Sequence, residues 1–286
     1  SVVDINNDGW LDLYLSVVRR PGGGNGANKL LVNQGVKGDG LPTFSEEAVA
    51  YGLADTSYSV QALFFDYDKD SDLDLYLLTN GVDMWNQNTM ANAPRAEGDH
   101  RWADKLYRNT GSTDSTRAPR YEDVSDEAGI RRGGYGLGVA AGDLNGDGWP
   151  DLYVANDFLP NDRIYLNQQD GTFEEVAAKA QPHQSYSSMG VDLADLNNDL
   201  RLDAMVLDML PGDHERQKRV RAGMHYATFL GELEAGYVPQ FERNTLQLHR
   251  GTDGRGIPHF SDISQLAGVD ATGWSWAPLL ADIDKD

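Results

Sequence analysis

The feature that most constrains this chain is an acidic nine-residue run that recurs in register and each time leads directly into a short apolar segment. In DLNGDGWPDLYVANDF, from Asp143 to Phe158, three aspartates (Asp143, Asp147 and Asp151) fall within nine residues. Asp4 opens DINNDGWLDLYL, Asp66 opens DYDKDSDLDLYL, Asp195 opens DLNNDLRLDAMV, and DIDKD from Asp282 begins a fifth copy. The starts are separated by 62, 77, 52 and 87 residues, a unit size that signals a repeat architecture. Carboxylates held this close repel one another, so a folded chain that keeps them together needs something between them.

Around each acidic run the same order of elements returns. A strand rich in small residues precedes it: GLGVAAGDL from Gly136, SVQALFFDY from Ser59, SMGVDLADL from Ser188 and SWAPLLADI from Ser275. A second strand follows (LDLYLSVV, LDLYLLTN, PDLYVAND, LDAMVLDM), then a third with an Asn or Asp signature (NKLLVNQG, DKLYRNTG, DRIYLNQQDG, NTLQLHRG). The fourth carries an aromatic residue followed by Ser, Glu or Asp, as in TFSEEA, RYEDVSDEAG, TFEEVAAKA and HFSDISQLAG.

Period-two alternation bounded by Gly, Asn and Asp turns marks all-β structure, and four strands per repeat make one propeller blade. The expected fold is an all-β β-propeller of four-stranded blades, with the acidic loop between the first and second strands. Residues 1–58 form a partial blade, 59–135, 136–187 and 188–273 form blades, and 274–286 start another; an inserted helical excursion spans 209–243. A generic β-sandwich is the bland alternative, disfavoured by the regular four-strand recurrence. The end pieces could pair to close a ring of four. The broken loop at Asp282 to Asp286 would then duplicate the one at Asp4 to Asp8, so the expectation is a single segment of about four blades from a larger ring.

A hard divalent cation resolves the repulsion, because calcium takes about six to eight oxygens from carboxylates, amides, backbone carbonyls and water. Loop positions 1, 3, 5 and 9 would supply side-chain oxygens and position 7 its backbone carbonyl. The candidate ligands are Asp4, Asn6, Asp8, Trp10 and Asp12 in the first loop, and Asp66, Asp68, Asp70, Asp72 and Asp74 in the second. Asp143, Asn145, Asp147, Trp149 and Asp151 serve the third, and Asp195, Asn197, Asp199, Arg201 and Asp203 the fourth, with Asp282, Asp284 and Asp286 in the incomplete fifth. The expected complement is therefore about four Ca2+ ions, one per complete loop. Gly9 and Gly148 at position 6 permit the positive φ that a tight chelating turn wants. Ser71 and Leu200 stand there in the other two loops, and for Leu200 a positive φ would cost on the order of 1 kcal/mol or more. The Asp195 loop is thus the weakest candidate, while extra carboxylates compensate in the Asp66 loop. An EF-hand would need a bidentate Glu at position 12, where this chain has Leu15, Leu77, Val154 and Val206. A solvated Asx-turn is the bland reading of any single copy, and recurrence in register argues against it.

These motifs resemble the FG-GAP/VCBS repeats of integrin-α-type β-propellers, and the resemblance implies calcium in the loop joining the first two strands of each blade. The stretches ALFFDYDKDSDLDLYLLTN, VLDMLPGDHERQK and FSDISQLAGVDATGWSWAPLLADIDKD are more specifically similar to the bacterial cartilage-acidic-protein-like proteins of the ASPIC/UnbV family. That likeness implies a secreted, cell-surface or periplasmic protein. Ser71 and Leu200 depart from the pattern, and no ASPIC/UnbV C-terminal domain lies within these residues.

Composition narrows the partners. A net charge of −21 and a pI near 4.5 argue against nucleic acid or an anionic membrane surface. With no cysteine there is no disulfide framework or thiolate metal site, and no apolar run is long enough to cross a bilayer as a helix. The sequence starts and ends at equivalent repeat positions, so flanking domains of a longer parent are expected.

Long second-to-third-strand excursions, Arg19 to Ala27, Gly81 to Ala103 and Met209 to Arg243, are expected to gather away from the acidic loops and to offer docking surface. Trp85 and Trp102 are candidate sugar platforms. The last excursion predicts a helix with Asp213 as N-cap and a basic cluster of Arg216, Lys218, Arg219 and Arg221, read first as a solvated face and second as a dock for an acidic partner. Catalytic patterns fail: HERQK from His214 lacks the second His of a zincin, and GWSWA from Gly273 lacks the last Gly of a nucleophile elbow. The favoured expectation is a calcium-binding, non-enzymatic extracellular scaffold for adhesion to a protein or glycan ligand. A propeller-type polysaccharide lyase is the alternative, and a purely structural spacer the third reading.

Overall fold

The computed structural model describes residues 1–17, 26–38, 40–81, 103–111, 119–130, 132–220 and 226–283. Two compact units emerge, one built around the two sheets before Tyr135 and the other around the two sheets after it.

In the first unit, β1 (Val2–Val3), β2 (Asp12–Leu15), β3 (Lys29–Val36) and β4 (Pro42–Glu46) form one four-stranded sheet, followed by a single helical turn, α1 (Ala48–Tyr51). The second sheet contains β5 (Ser59–Phe65), β6 (Asp74–Thr79), β7 (Lys105–Asn109) and β8 (Tyr121–Asp123), then α2 (Ser125–Ala128). The second unit repeats the plan with β9 (Gly136–Gly142), β10 (Asp151–Asn156), β11 (Arg163–Asn167), β12 (Phe173–Glu175) and α3 (Ala177–Ala180). After β13 (Gln184–Ser185), the fourth sheet starts with β14 (Gly190–Ala194) and β15 (Asp203–Leu207). Two helices, α4 (His214–Val220) and α5 (Tyr226–Glu234), and the short β16 (Gln240–Phe241) intervene before β17 (Thr245–Thr252), β18 (Pro258–Asp262) and α6 (Ser264–Ala267) complete it. All four sheets are antiparallel meanders with strands paired in chain order.

Packing explains the composition of the strands. The second strands β6, β10 and β15 are buried along their whole length, so they are covered on both faces and run nearly without polar interruption. Tyr14, Leu30 and Val32 of the first sheet share one core with Leu75, Leu77 and Tyr107 of the second. Tyr153, Ile164 and Leu166 of the third likewise pack with Ala204, Val206 and Phe260 of the fourth. In the first strands of the third and fourth sheets, glycine is a steric necessity at two positions. A Cβ on Gly138 would lie 2.8 Å from the Cα of Gly190, and one on Gly190 would lie 2.5 Å from the carbonyl oxygen of Trp276.

Several expectations change. The tails of the expected fourth-strand segments are not strand but one-turn helices, and three of them, α1, α2 and α6, end in a glycine with positive φ. The expected strand at SWAPLLADI is absent among the described residues: from Ser275 to Ile283 the chain has no ladder partner, and Leu280 N–H is held by Asp192 Oδ2 at 2.7 Å. A strand needs a neighbour's hydrogen bonds, and none of the described strands pairs with this segment. A parallel two-residue ladder, Gln184–Ser185 against Gln240–Phe241, was not foreseen. In the last excursion helix is described over His214–Val220 and Tyr226–Glu234, and residues 221–225 between them lie outside the described residues. Asp213 does cap the first, its Oδ2 accepting the Arg216 N–H at 2.7 Å. Trp85, Trp102, Arg221 and most of the excursions at 19–27 and 81–103 lie outside the described residues.

Candidate metal-binding loops

The four complete acidic loops share one backbone conformation. Position 6 is left-handed in each, with φ of 88° at Gly9, 74° at Ser71, 82° at Gly148 and 67° at Leu200, so the strain expected at Ser71 and Leu200 is present. Position 4 is left-handed too: Asn7 at 54°, Lys69 at 60°, Gly146 at 81° and Asn198 at 58°. The Asn and Gly at these sites were the available signal, since both tolerate this region better than other residues.

That backbone aims amide groups at the position-1 aspartate. Asp143 Oδ1 accepts Gly146 and Asp147 N–H at 2.7 and 3.1 Å, while its Oδ2 accepts Gly148 N–H at 2.8 Å. Asp4 and Asp195 repeat the arrangement, and Asp66 accepts Ser71 N–H at 3.1 Å. The position-5 aspartates accept the N–H of position 7, at 2.8 Å for Trp10 and Trp149, 3.1 Å for Asp72 and 3.0 Å for Arg201. Where position 3 is Asn, its amide nitrogen donates to the same position-5 carboxylate.

Position 9 behaves differently from expectation. Asp12, Asp74, Asp151 and Asp203 are fully buried, and each spends both oxygens on backbone amides. One oxygen takes the N–H of loop position 2: Ile5 at 3.0 Å, Tyr67 at 3.2 Å, Leu144 at 2.8 Å and Leu196 at 3.1 Å. The other takes an N–H from the third strand: Asn33 at 2.7 Å, and Asn109, Asn167 and His249 at 2.8 Å. This aspartate is a clamp that ties the loop to the third strand, whatever else it binds. Burial pushes Asp151 up to about 7 and Asp74 up to about 8, against the pull of those amides.

At the opposite end of each sheet the Asn or Asp preceding the third strand does the same for the second. Asn28, Asp104, Asp162 and Asn244 accept the N–H groups of Val17, Thr79, Asn156 and Asp208 at 2.7–2.8 Å. The polar signature read from the sequence is therefore structural.

The second loop is the one whose carboxylates converge. Asp66, Asp68 and Asp74 bring ligand oxygens within 4.8 Å of one another, the one such acidic or histidine group among the described residues. Asp66 Oδ1, Asp68 Oδ1 and Asp72 Oδ1 are buried without a hydrogen-bond partner. Burial, and then Asp70, push Asp72 up to about 6, and the same causes raise Asp68. Orphaned, mutually repelling oxygens facing inward fit a hard divalent cation. In the other three loops the carboxylates point at amides instead of at each other. Asp282 is described and exposed, while Asp284 and Asp286 are outside the described residues.

Two further features were not legible in advance. An open cleft of about 850 Å3 lies beside the first two loops, lined by Asp4, Asn6, Asp8, Trp10, Asp72 and Asn109 among others, at the end of the sheets from which no docking surface was expected. In the second unit Asp262 accepts from Arg243 at 3.0 Å and pairs with His183 Nε2 at 2.9 Å, while Arg243 lies 5.4 Å over the Phe241 ring. Burial opposes ionisation of Asp262, but hydrogen bonds from His183, Ser264 and Leu246 outweigh it and hold the carboxyl below its usual range.

The chain carries FG-GAP-like repeats, matched over residues 4–77 and 143–206. It is 38% identical over 84 residues to cartilage acidic protein 1 of Mus musculus and, to the same extent, of Homo sapiens. The match covers 28% of this chain and 12% of each relative, so it spans about an eighth of their length.

Proposed function

From the premise that this chain carries FG-GAP-like repeats, we propose that its four sheets are blades of a calcium-stabilised β-propeller that acts outside the cytoplasm as a ligand-binding scaffold. The observation that carries the reading is the second loop, where three buried carboxylate oxygens have no hydrogen-bond donor and three aspartates converge within 4.8 Å. The residues that would hold the ion are Asp66, Asp68, Asp70, Asp72 and Asp74, with the corresponding positions of the first and third loops as further sites. Bound calcium would supply the positive charge that lets these side chains stay ionised together. Extracellular calcium is millimolar, which suits weak structural sites, and each ion contributes about 2.7 kcal/mol at a hundredfold excess over its Kd.

The protein's own contribution is to hold the loops. Position-9 aspartates anchor them to the third strands, and left-handed residues at positions 4 and 6 turn amides toward position 1. A ligand, protein or glycan, is best accommodated by the cleft beside Trp10, where an exposed indole borders amide and carboxylate groups. Flanking domains of a longer parent and secreted, cell-surface or periplasmic placement complete the proposal.

The test is thermal unfolding with excess calcium and with chelator, together with metal counting by native mass spectrometry. Calcium should raise the unfolding temperature and remain bound through desalting. Unfolding curves that coincide, with no ion retained, would refute the proposal.

A further inference from the structure

The fourth loop departs from the other three at two neighbouring positions. Position 6 is Leu200, held at φ 67° with its side chain 94% exposed, and position 7 is Arg201 where the other loops have Trp10, Asp72 and Trp149. Arg201 folds back onto its own loop: its guanidinium Nη1 lies 3.2 Å from Asp199 Oδ2, and its backbone N–H donates to Asp199 Oδ1 at 3.0 Å. Asp199 Oδ2 also accepts the Asn197 amide at 3.2 Å. Asp195 is occupied by Asp199 and Leu200 N–H, and Asp203 by Leu196 and His249 N–H. All six carboxylate oxygens of the loop thus have donors, one of which is a permanent cation.

The first and third loops also satisfy their carboxylates, but with neutral amides that a metal can supplement or displace without meeting like charge. In the fourth loop a divalent ion at the position-5 carboxylate would have to displace a guanidinium or sit beside it. Like charges a few ångströms apart oppose such binding.

We infer that Arg201 is a built-in counter-cation and that the fourth loop keeps the repeat's backbone without a metal. The repeat unit has in effect exchanged an external ion for an internal one. The inference rests on the calcium reading of the other loops only for its contrast, since the pairing of Arg201 with Asp199 stands by itself. It also gives Leu200 a physical account: a turn that closes no ion cage tolerates a strained, fully solvated leucine because hydrogen bonds from Asn197, Asp199, Leu200 and Arg201 hold the loop regardless.

The experiment counts calcium ions on the whole chain by native mass spectrometry and equilibrium dialysis, for wild type and Asp147→Ala, Asp199→Ala, Arg201→Trp and Arg201→Lys. Arg201→Trp places the residue of the first and third loops at an exposed position, so the fold should survive the change. Expected results are one ion lost in Asp147→Ala, none lost in Asp199→Ala, one gained in Arg201→Trp and none gained in Arg201→Lys. Loss of an ion in Asp199→Ala overturns the inference, as does the absence of any gain in Arg201→Trp. A wild-type chain that binds no calcium would sink the reading of the other loops, and a gain confined to Arg201→Trp would still uphold the role of Arg201.

Discussion

Two aspartates four residues apart in the third loop should fail in opposite ways. Asp151 is fully buried and holds the N–H groups of Leu144 and Asn167, both at 2.8 Å. Truncation to Ala leaves both amides buried without an acceptor, and each orphaned group costs about 1–3 kcal/mol, so the sum is about 2–6 kcal/mol. Asp151→Asn keeps one acceptor and turns an amide nitrogen on the other N–H, so it should lose roughly half of that. Asp147 is exposed, and the Trp149 N–H it releases can turn to water, so Asp147→Ala should cost less than about 1 kcal/mol in chelator. With calcium present the order narrows, because Asp147→Ala forfeits the ion's stabilisation. Hydrogen exchange at Leu144 and Asn167 is the cleaner assay, since a chain of two compact units need not unfold in one step. In chelator those two amides should exchange at least tenfold faster in Asp151→Ala and unchanged in Asp147→Ala. If they keep wild-type protection in Asp151→Ala, the position-9 clamp is not what holds the loop.

Three further outcomes are expected. Leu200→Gly should stabilise the chain by about 1 kcal/mol, because φ 67° is relieved and a side chain that is 94% exposed gives up no burial; a raised urea midpoint would show it. Gly190→Ala should destabilise the second unit by several kcal/mol or prevent its folding, since the added carbon would lie 2.5 Å from a backbone oxygen; circular dichroism melts against a Gly254→Ala control, where nothing lies within 4 Å, isolate the clash. Burial pushes Asp162 up to about 7, so the folded chain retains a proton that the unfolded chain releases from about pH 4; stability should therefore fall as pH rises from about 4 to about 7. Asp162→Asn keeps the Asn156 N–H bond, can still meet the hydroxyls of Ser188 and Tyr153, and should reduce that slope, to which Asp74 and Asp151 also contribute, when unfolding is measured across the window in chelator.

The repeat itself was legible from local pattern. Each acidic run, its apolar second strand and the Asn or Asp before the third strand is a contiguous signature, and positive φ at position 6 follows from Gly9 and Gly148 by register alone. The one-turn helices were hidden because a four-residue turn has too few residues to show a helical period against a strand's alternation.

What sequence determined, then, was the list of elements and where carboxylates gather; tertiary structure decided what each carboxylate faces. Asp12 meets an amide 21 residues away, Asp74 one 35 away, Asp151 one 16 away and Asp203 one 46 away. His249 fills the place that Asn33, Asn109 and Asn167 hold elsewhere and reaches Leu144 carbonyl oxygen 105 residues back, a substitution no local pattern announces. The reason is physical: an aspartate's residue type says that it needs positive or donor groups around it, but the burial and third-strand amides that select between a proton, a backbone clamp, an arginine and a metal exist only once distant strands have paired.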